Sequence, residues 1–342
     1  MKSNILKIGP GKLSEVYATM REAGICGNIL YISDSVVDGL YGNIVRPQLS
    51  AAGNVEEAQV DYNTIAYAMS VAERVISGDI NCIVGMGGGR VLDVCKYAAY
   101  IAKKPFLSLP TTLANDGITS PIAVLKRKDN KPKSLGCAMP SAIILDTALL
   151  STCPTHLIQA GIGDTISNYT ALMDWDLAVV RGKDSMNGYA YMMSKNSLDV
   201  LMKTQYDGIC PGFIEVLANS IVLSGLAMDF AGSSRPVSGS EHLFSHALDY
   251  YSGIQNLHGV QVALGTVAVL RLLDQDDREV LRYLKKFGVN INPASIGIDE
   301  KTFVFCMQNA TGMRSNRYTC LHEMELRSDR LCSLYHDLVR DL

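Results

Sequence analysis

Through the first half of the chain, short apolar runs alternate with longer segments in which apolar residues recur at helical spacing. The runs are NILYISD (28–34), a stretch within VEEAQVDY (55–62), NCIVGMG (81–87), FLSLP (106–110) and AIILD (142–146). Between them, 14–24, 65–77 and 91–104 repeat their apolar positions with the period of a helix. Strands separated by helices of that length predict a parallel sheet covered on both faces. After Pro154 the strand pattern nearly vanishes. Segments such as 213–232 and 260–274 predict helices apolar enough to be mostly buried. The least periodic stretch, 176–190, reads as a loop. The expected architecture is a Rossmann-like α/β domain over 1–152 followed by an all-α domain over 153–342.

Length agrees with two domains, since 342 residues exceed what one hydrophobic core usually holds, and 48% hydrophobic residues suffice to fill both. A net charge of −3 without any basic run argues against nucleic acid as a partner. No stretch of eighteen apolar residues occurs, and the N-terminus lacks an uninterrupted apolar segment. Secretion and membrane insertion are therefore not expected, and a cytoplasmic location is. Nine cysteines, an odd number at scattered spacings with no CxxC, read as small buried hydrophobes in a reducing compartment.

Candidate chemistry begins with the histidines. His242 and His246 lie four apart in SGSEHLFSHALD, His258 follows in LHGVQVALGT, and Asp164 stands upstream in GIGDTISN. On a helix, His242 and His246 share a face, and His258 can reach the same point from the next helix. Two imidazoles and a carboxylate suit one divalent metal with a further position left open. Asp164, His242 and His258 are the three expected ligands. His246 then remains to bind substrate or pass a proton. The competing account, a pair of satisfied core histidines, must explain why three of six histidines fall within seventeen residues.

A second signal is GMGGGRVLDV (85–94), an apolar strand running into three glycines and then a helix. Backbone N–H groups bare of side chains, at the positive end of a helix dipole, form a cradle for a pyrophosphate. The segment departs from GxGxxG and also reads as an ordinary strand-to-helix turn. Asp34, ending the run 28–34, suits a ribose hydroxyl and disfavours an added 2′-phosphate, or is a solvated turn residue. LPTTLANDGITSP (109–121) starts at the carboxyl end of a strand and offers Thr111, Thr112, Asp116 and Ser120 as ligand-binding groups, or as plain turn chemistry. Lys126, Lys131 and Lys133 read as charge available to a substrate or as a solvated hairpin between two strands.

Taken in order, GGGRVLDVCKYAA, PTTLANDGITSP, IILDTALL, GIGDTISN, SGSEHLFSHALD and LHGVQVALGT resemble the iron-type (group III) alcohol dehydrogenase and dehydroquinate synthase superfamily, most closely its sn-glycerol-1-phosphate dehydrogenase branch. The resemblance spans roughly 9–270. It implies a dehydroquinate synthase-like fold and a metal-dependent, NAD- or NADP-linked dehydrogenase of a polyol phosphate. Zinc is the first metal implied, with iron or nickel as alternatives, and a homo-oligomer is implied as well. It further implies that Gly87, Gly88, Gly89, Arg90 and Val91 hold the dinucleotide pyrophosphate, and that Thr111, Thr112, Leu113, Ala114 and Ser120 make other cofactor contacts. Asp164, His242 and His258 are the implied metal ligands. Asp116, His246 and Asp164 are the implied contacts to the polyol.

Two departures bear on the substrate. Ala114, Asn115, Asp116 and Gly117 stand where the branch shows a Ser-His-Asp-Gly-like run, and Ile122 stands where it often has a basic residue after Ser-Pro. A phosphate ester needs cationic or N–H partners, so an unphosphorylated polyol such as glycerol is the alternative substrate class. A dehydroquinate synthase-like cyclase is disfavoured by aspartate rather than glutamate at 164. A nucleotide-binding regulatory protein is disfavoured by the polar cage itself, which is costly to bury without a use.

Overall fold

The computed structural model describes residues 5–342. Its backbone packing divides into two compact units, one of residues up to Pro154 with Cys210–Asn219, the other of Thr155–Ile209 with Ser220–Leu342.

The first unit is built on β1 (Ile5–Gly9), β2 (Ile29–Ser33), β3 (Val55–Gln59), β4 (Cys82–Gly87) and β5 (Phe106–Pro110). A hairpin of β6 (Ile122–Lys126) and β7 (Pro132–Gly136) follows, then β8 (Ala142–Asp146). Six of these strands form a parallel sheet in the order β1-β8-β5-β4-β2-β3, while β6 and β7 pair antiparallel. β2, β4, β5 and β8 are buried along their whole length, as strands with helices on both faces must be. The helices are α1 (Val16–Glu22), α2 (Ser35–Ala52), α3 (Ile65–Ser77), α4 (Gly89–Ala102) and the short α5 (Thr147–Leu150). α1 packs with α2, and α3 with α4.

From β2 the chain runs outward to the edge strand β3, then returns on the other side of β2 with β4 and continues to β5. The strand order therefore reverses between β2 and β4. Crevices beyond the carboxyl ends of strands at such a reversal are where open α/β sheets bind ligands. Asp34 follows β2 there, and Gly87–Gly89 lead from β4 into α4.

β1 and α2 are among the elements of this unit that escaped the periodicity. β1 is an edge strand that is only partly buried and lacks the continuous apolar run of the central strands. α2 carries Gly39, Gly42 and Pro47 within its span, which weaken any helical signal. It forms because Asp34 caps it and because Gly42, Val45 and Leu49 bury one face.

The second unit is helical: α6 (Thr155–Ile166), α7 (Asn168–Val180), α8 (Gly188–Met202), α9 (Pro211–Ala231), α10 (Ser240–Tyr251), α11 (His258–Leu272), α12 (Arg278–Lys286), α13 (Glu300–Asn309) and α14 (Ser328–Asp341). α9 begins in the segment grouped with the first unit. By length and composition α9 is apolar enough to cross a membrane, but 61% of its most apolar window is buried, and a core helix meets the same test. The loop expected at 176–190 is shorter, because α7 continues to Val180 and α8 starts at Gly188. Asn187 caps α8 through the Ala190 N–H (3.1 Å), and the Trp175 indole donates to the Ser185 carbonyl (3.1 Å). Tertiary contacts thus extend both helices into weakly periodic sequence.

Two glycines set a close helix crossing. A Cβ on Gly163 of α6 would lie 2.3 Å from the Gly259 carbonyl oxygen, and one on Gly259 of α11 would lie 1.8 Å from the Ala160 carbonyl oxygen. The backbones of α6 and α11 touch because both side chains are absent. Asp164 and His258 are the immediate neighbours of these glycines, so the same crossing brings them together.

Candidate functional site

Asp164 on α6, His242 on α10 and His258 at the first position of α11 converge. One ligand atom from each lies within 4.8 Å of the other two, the spread expected around a single cation. Asp164 Oδ1 is 3.6 Å from His258 Nε2, and the rings of His242 and His258 are 4.9 Å apart. Asp164 and His242 are buried, and His258 is half-buried.

The surroundings decide which nitrogen each imidazole presents. The His242 Nδ1–H donates to Glu241 Oε1 (2.9 Å), leaving Nε2 with its lone pair. Glu241 is fully buried and also accepts from the Gly239 N–H (2.6 Å) and the Thr170 hydroxyl (2.7 Å), which compensates a carboxylate there. For His258 the argument runs along a chain. The Gln261 amide donates to Asp249 Oδ1 (3.2 Å), which turns its oxygen toward Ser245. The Ser245 hydroxyl donates to that oxygen (2.6 Å) and so accepts from His258 Nδ1–H (3.1 Å). His258 Nε2 is then the free donor atom, on the side of Asp164. Outer partners that fix tautomer and ring angle are what a metal-binding histidine requires.

Burial holds all three histidines below the ordinary imidazole range, with the charges of Arg314 and neighbouring histidines adding to the effect for His242 and His246. Neutral rings at neutral pH are the form that ligates. The residues present therefore fit a divalent cation. His246, one helical turn beyond His242, has its ring 6.2 Å from each of the other two and stands beside the ligand set rather than in it. Glu241, Ser245, Gln261 and Asp249 were not legible as site residues. The adjacency of Glu241 to His242 was the one available cue.

The remaining expected residues sit in the first unit. Gly88 caps α4 without any side-chain hydrogen bond, so the first amides of that helix are open to an anion. Gly87 is a glycine for packing, since a Cβ there would meet Val91 at 2.8 Å. Gly88 and Gly89 have room in front of them, with the nearest atoms at 3.5 Å and 3.8 Å, so their bareness uncovers backbone. Arg90 is exposed, and Val91 is buried against the turn. Thr111, buried on the adjoining strand end, donates its N–H to the Gly87 carbonyl (3.0 Å), joining the two turns. Thr112 faces Gly88, Leu113 is a core side chain, and Ala114 and Asp116 are half-buried. Ser120 is buried with its hydroxyl 3.4 Å from the Ile122 carbonyl.

Lys96 holds this loop. It is buried, and its ammonium donates to the carbonyls of Gly117 and Ile122, the latter at 2.7 Å, with Asp93 Oδ1 at 3.5 Å. Asp34 accepts from Val36 and Val37 N–H (3.0 and 2.9 Å) through one oxygen, which makes it the cap of α2, with the second oxygen making no bond among the described residues. Lys126, Lys131 and Lys133 lie on the β6–β7 hairpin and its turn.

Residues 7–154 match the iron-containing alcohol dehydrogenase family. Over 318 residues the chain is 34% identical to a glycerol-1-phosphate dehydrogenase [NAD(P)+] of Methanosarcina mazei, covering 92% of this chain and 89% of that one. It is 39% identical over 280 residues to the enzyme of the same description from Sulfurisphaera tokodaii, with 80% and 78% covered. Among solved structures, a probable glycerol dehydrogenase from Sinorhizobium meliloti superposes with a TM-score of 0.79 at 18% identity, covering 99% of this chain and 97% of the other. That likeness is one of fold.

Proposed function

The chain belongs to the iron-containing alcohol dehydrogenase family, among the glycerol-1-phosphate dehydrogenases, and from this premise we propose that it interconverts a polyol phosphate and its ketone by hydride exchange with NAD or NADP, with sn-glycerol 1-phosphate and dihydroxyacetone phosphate as the pair. The carrying observation is the convergence of Asp164, His242 and His258, with the outward nitrogen of each imidazole already bonded.

In this reading Asp164, His242 and His258 hold one divalent cation, zinc before iron or nickel, which supplies Lewis-acid polarisation of the substrate oxygen. The nicotinamide supplies the hydride acceptor. Everything else falls to the chain. Burial keeps the two imidazoles neutral, and Glu241 and Ser245 keep them aimed. His246, its ring 6.2 Å from those of His242 and His258, stands beside the ligands, and as a neutral imidazole it can accept the hydroxyl proton and pass it on. Gly88, Gly89 and the first turn of α4 receive the pyrophosphate, Thr111 and Thr112 flank it, and Asp34 takes a ribose hydroxyl with its unused oxygen. Asp116 contacts the polyol.

The test is oxidation of NADH or NADPH by metal-loaded protein, followed by near-ultraviolet absorbance, with dihydroxyacetone phosphate, dihydroxyacetone and simple aldehydes supplied in turn. Turnover preferring dihydroxyacetone phosphate and abolished by Asp164→Asn supports the reading. Preference for dihydroxyacetone replaces it with an unphosphorylated polyol dehydrogenase, and inertness toward every carbonyl removes it.

A further inference from the structure

The sequence offers no cation beside the Ser-Pro pair for a substrate phosphate. The second unit places two elsewhere. Arg317 is 6% exposed and Arg314 is half-buried, yet among the described residues neither has a carboxylate within ion-pair distance. Arg314 Nη1 and Arg317 Nη2 both donate to the same atom, Ser234 Oγ, at 2.9 and 3.0 Å, and Arg317 Nη1 donates to the Ser238 carbonyl. One hydroxyl oxygen therefore gathers two like charges. By contrast Arg235, buried next to Ser234, has Asp184 at 3.0 Å.

The neighbourhood holds this pair rigidly at the start of the histidine helix. The Asp174 carboxylate accepts from the Ser240 and Cys320 N–H groups, both at 2.6 Å, which ties the segment after Arg317 to the first turn of α10. The short helix Ala310–Met313, immediately before Arg314, packs directly on α10. Among the described residues, Arg314 and Arg317 have further N–H groups without a hydrogen-bond partner, and these are not among the fully enclosed unpaired atoms. Two guanidinium groups drawn together in a buried site, with no anion beside them, are costly unless a ligand supplies the charge. Their planar, multiply donating heads match a phosphoryl group.

We propose that Arg314 and Arg317, joined through Ser234, form an anion subsite for the phosphoryl group of the substrate whose hydroxyl end is bound at Asp164, His242 and His258. The proposal rests on the polyol-phosphate reading for its ligand and on the arginine geometry for its place. It makes these residues, rather than Lys126, Lys131 or Lys133, the source of selectivity for phosphorylated over free polyols.

Arg314→Gln removes the charge at the less buried member, and Arg314→Lys keeps it. The measurements, all on metal-loaded protein, are kcat/KM with dihydroxyacetone phosphate and with dihydroxyacetone, and calorimetric titration with inorganic phosphate. Loss of bonds to a charged group predicts that Arg314→Gln lowers the ratio of the two kcat/KM values by about tenfold to a hundredfold, with Arg314→Lys recovering most of it. Phosphate binding seen in the wild type should vanish in Arg314→Gln. An unchanged ratio, an equal loss with both substrates, or phosphate binding that survives Arg314→Gln overturns the subsite. Should the wild type turn over only dihydroxyacetone while binding phosphate through Arg314, the subsite stands and the polyol-phosphate reading falls. With no turnover at all, the phosphate titration alone decides.

Discussion

Ser245→Ala tests whether the outer hydrogen-bond chain is what fits His258 for the proposed role of metal ligand. The hydroxyl accepts from His258 Nδ1 (3.1 Å) and donates to the Gln261 carbonyl oxygen (2.6 Å), and Gln261 is fully buried. Removing it strands one donor and one acceptor, so the metal-free protein should lose about 1–3 kcal/mol of unfolding free energy. The larger consequence concerns the imidazole. Without an acceptor at Nδ1 the ring is free to rotate or to carry its proton on Nε2, where it cannot ligate. Loss of such an outer partner weakens metal binding by about tenfold to a hundredfold, or about 1.4–2.8 kcal/mol. Chelator competition on metal-free protein measures the affinity, and denaturant unfolding without metal measures the stability term separately. Activity should return when metal is raised above the new dissociation constant. If Ser245→Ala loses stability but binds metal as tightly as the wild type, the hydroxyl merely packs, and the tautomer argument for His258 is wrong.

Two further outcomes follow from packing and burial. Gly163→Ala places a methyl 2.3 Å from the Gly259 carbonyl, a backbone atom that cannot yield without moving a helix. Overpacking of this kind costs about 1–3 kcal/mol, read as a lower denaturant midpoint, and metal affinity should fall with it because Asp164 and His258 ride on the separated helices. An unchanged midpoint would show that α6 and α11 are not held by that contact. Burial raises the Asp93 carboxyl to about 6, against the downward pull of Lys96. The folded state then keeps a proton that the unfolded chain, near its ordinary value of about 3.9, has released. Its contribution is full below about 4 and lost as pH rises through about 6. Asp93→Asn should flatten the fall in stability across that window, as measured by urea unfolding at stepped pH, and an unaltered slope would contradict the assignment.

Some of the molecule could be read without coordinates because it depends on neighbours in sequence. Alternating apolar runs and helical periods mark β2, β4, β5, β8, α3 and α4. The triple glycine marks the turn after β4, and His242, His246 and His258 are drawn together by one helix and the start of the next. β1 and α2 were not readable, the first because a partly exposed edge strand lacks a continuous apolar run, the second because Gly39, Gly42 and Pro47 break it. The loop expected at 176–190 failed for the opposite reason, since the Trp175 and Asn187 contacts that order it come from the folded state. Glu241, Ser245 and Gln261 carry no motif of their own, because a hydrogen-bonding role is defined by what a side chain faces.

By itself, then, the sequence determined the kinds of chemistry present: side chains suited to ligate a divalent metal, a bare glycine turn ahead of a helix, and a sheet domain followed by helices. Only the tertiary structure decided which nitrogen each imidazole presents, which glycines bring Asp164 against His258, and that Arg314 and Arg317 meet at one serine hydroxyl. Ligand identity is a local property of side chains. Tautomer, close approach and uncompensated charge are relations between distant segments, and they exist only once the chain has packed.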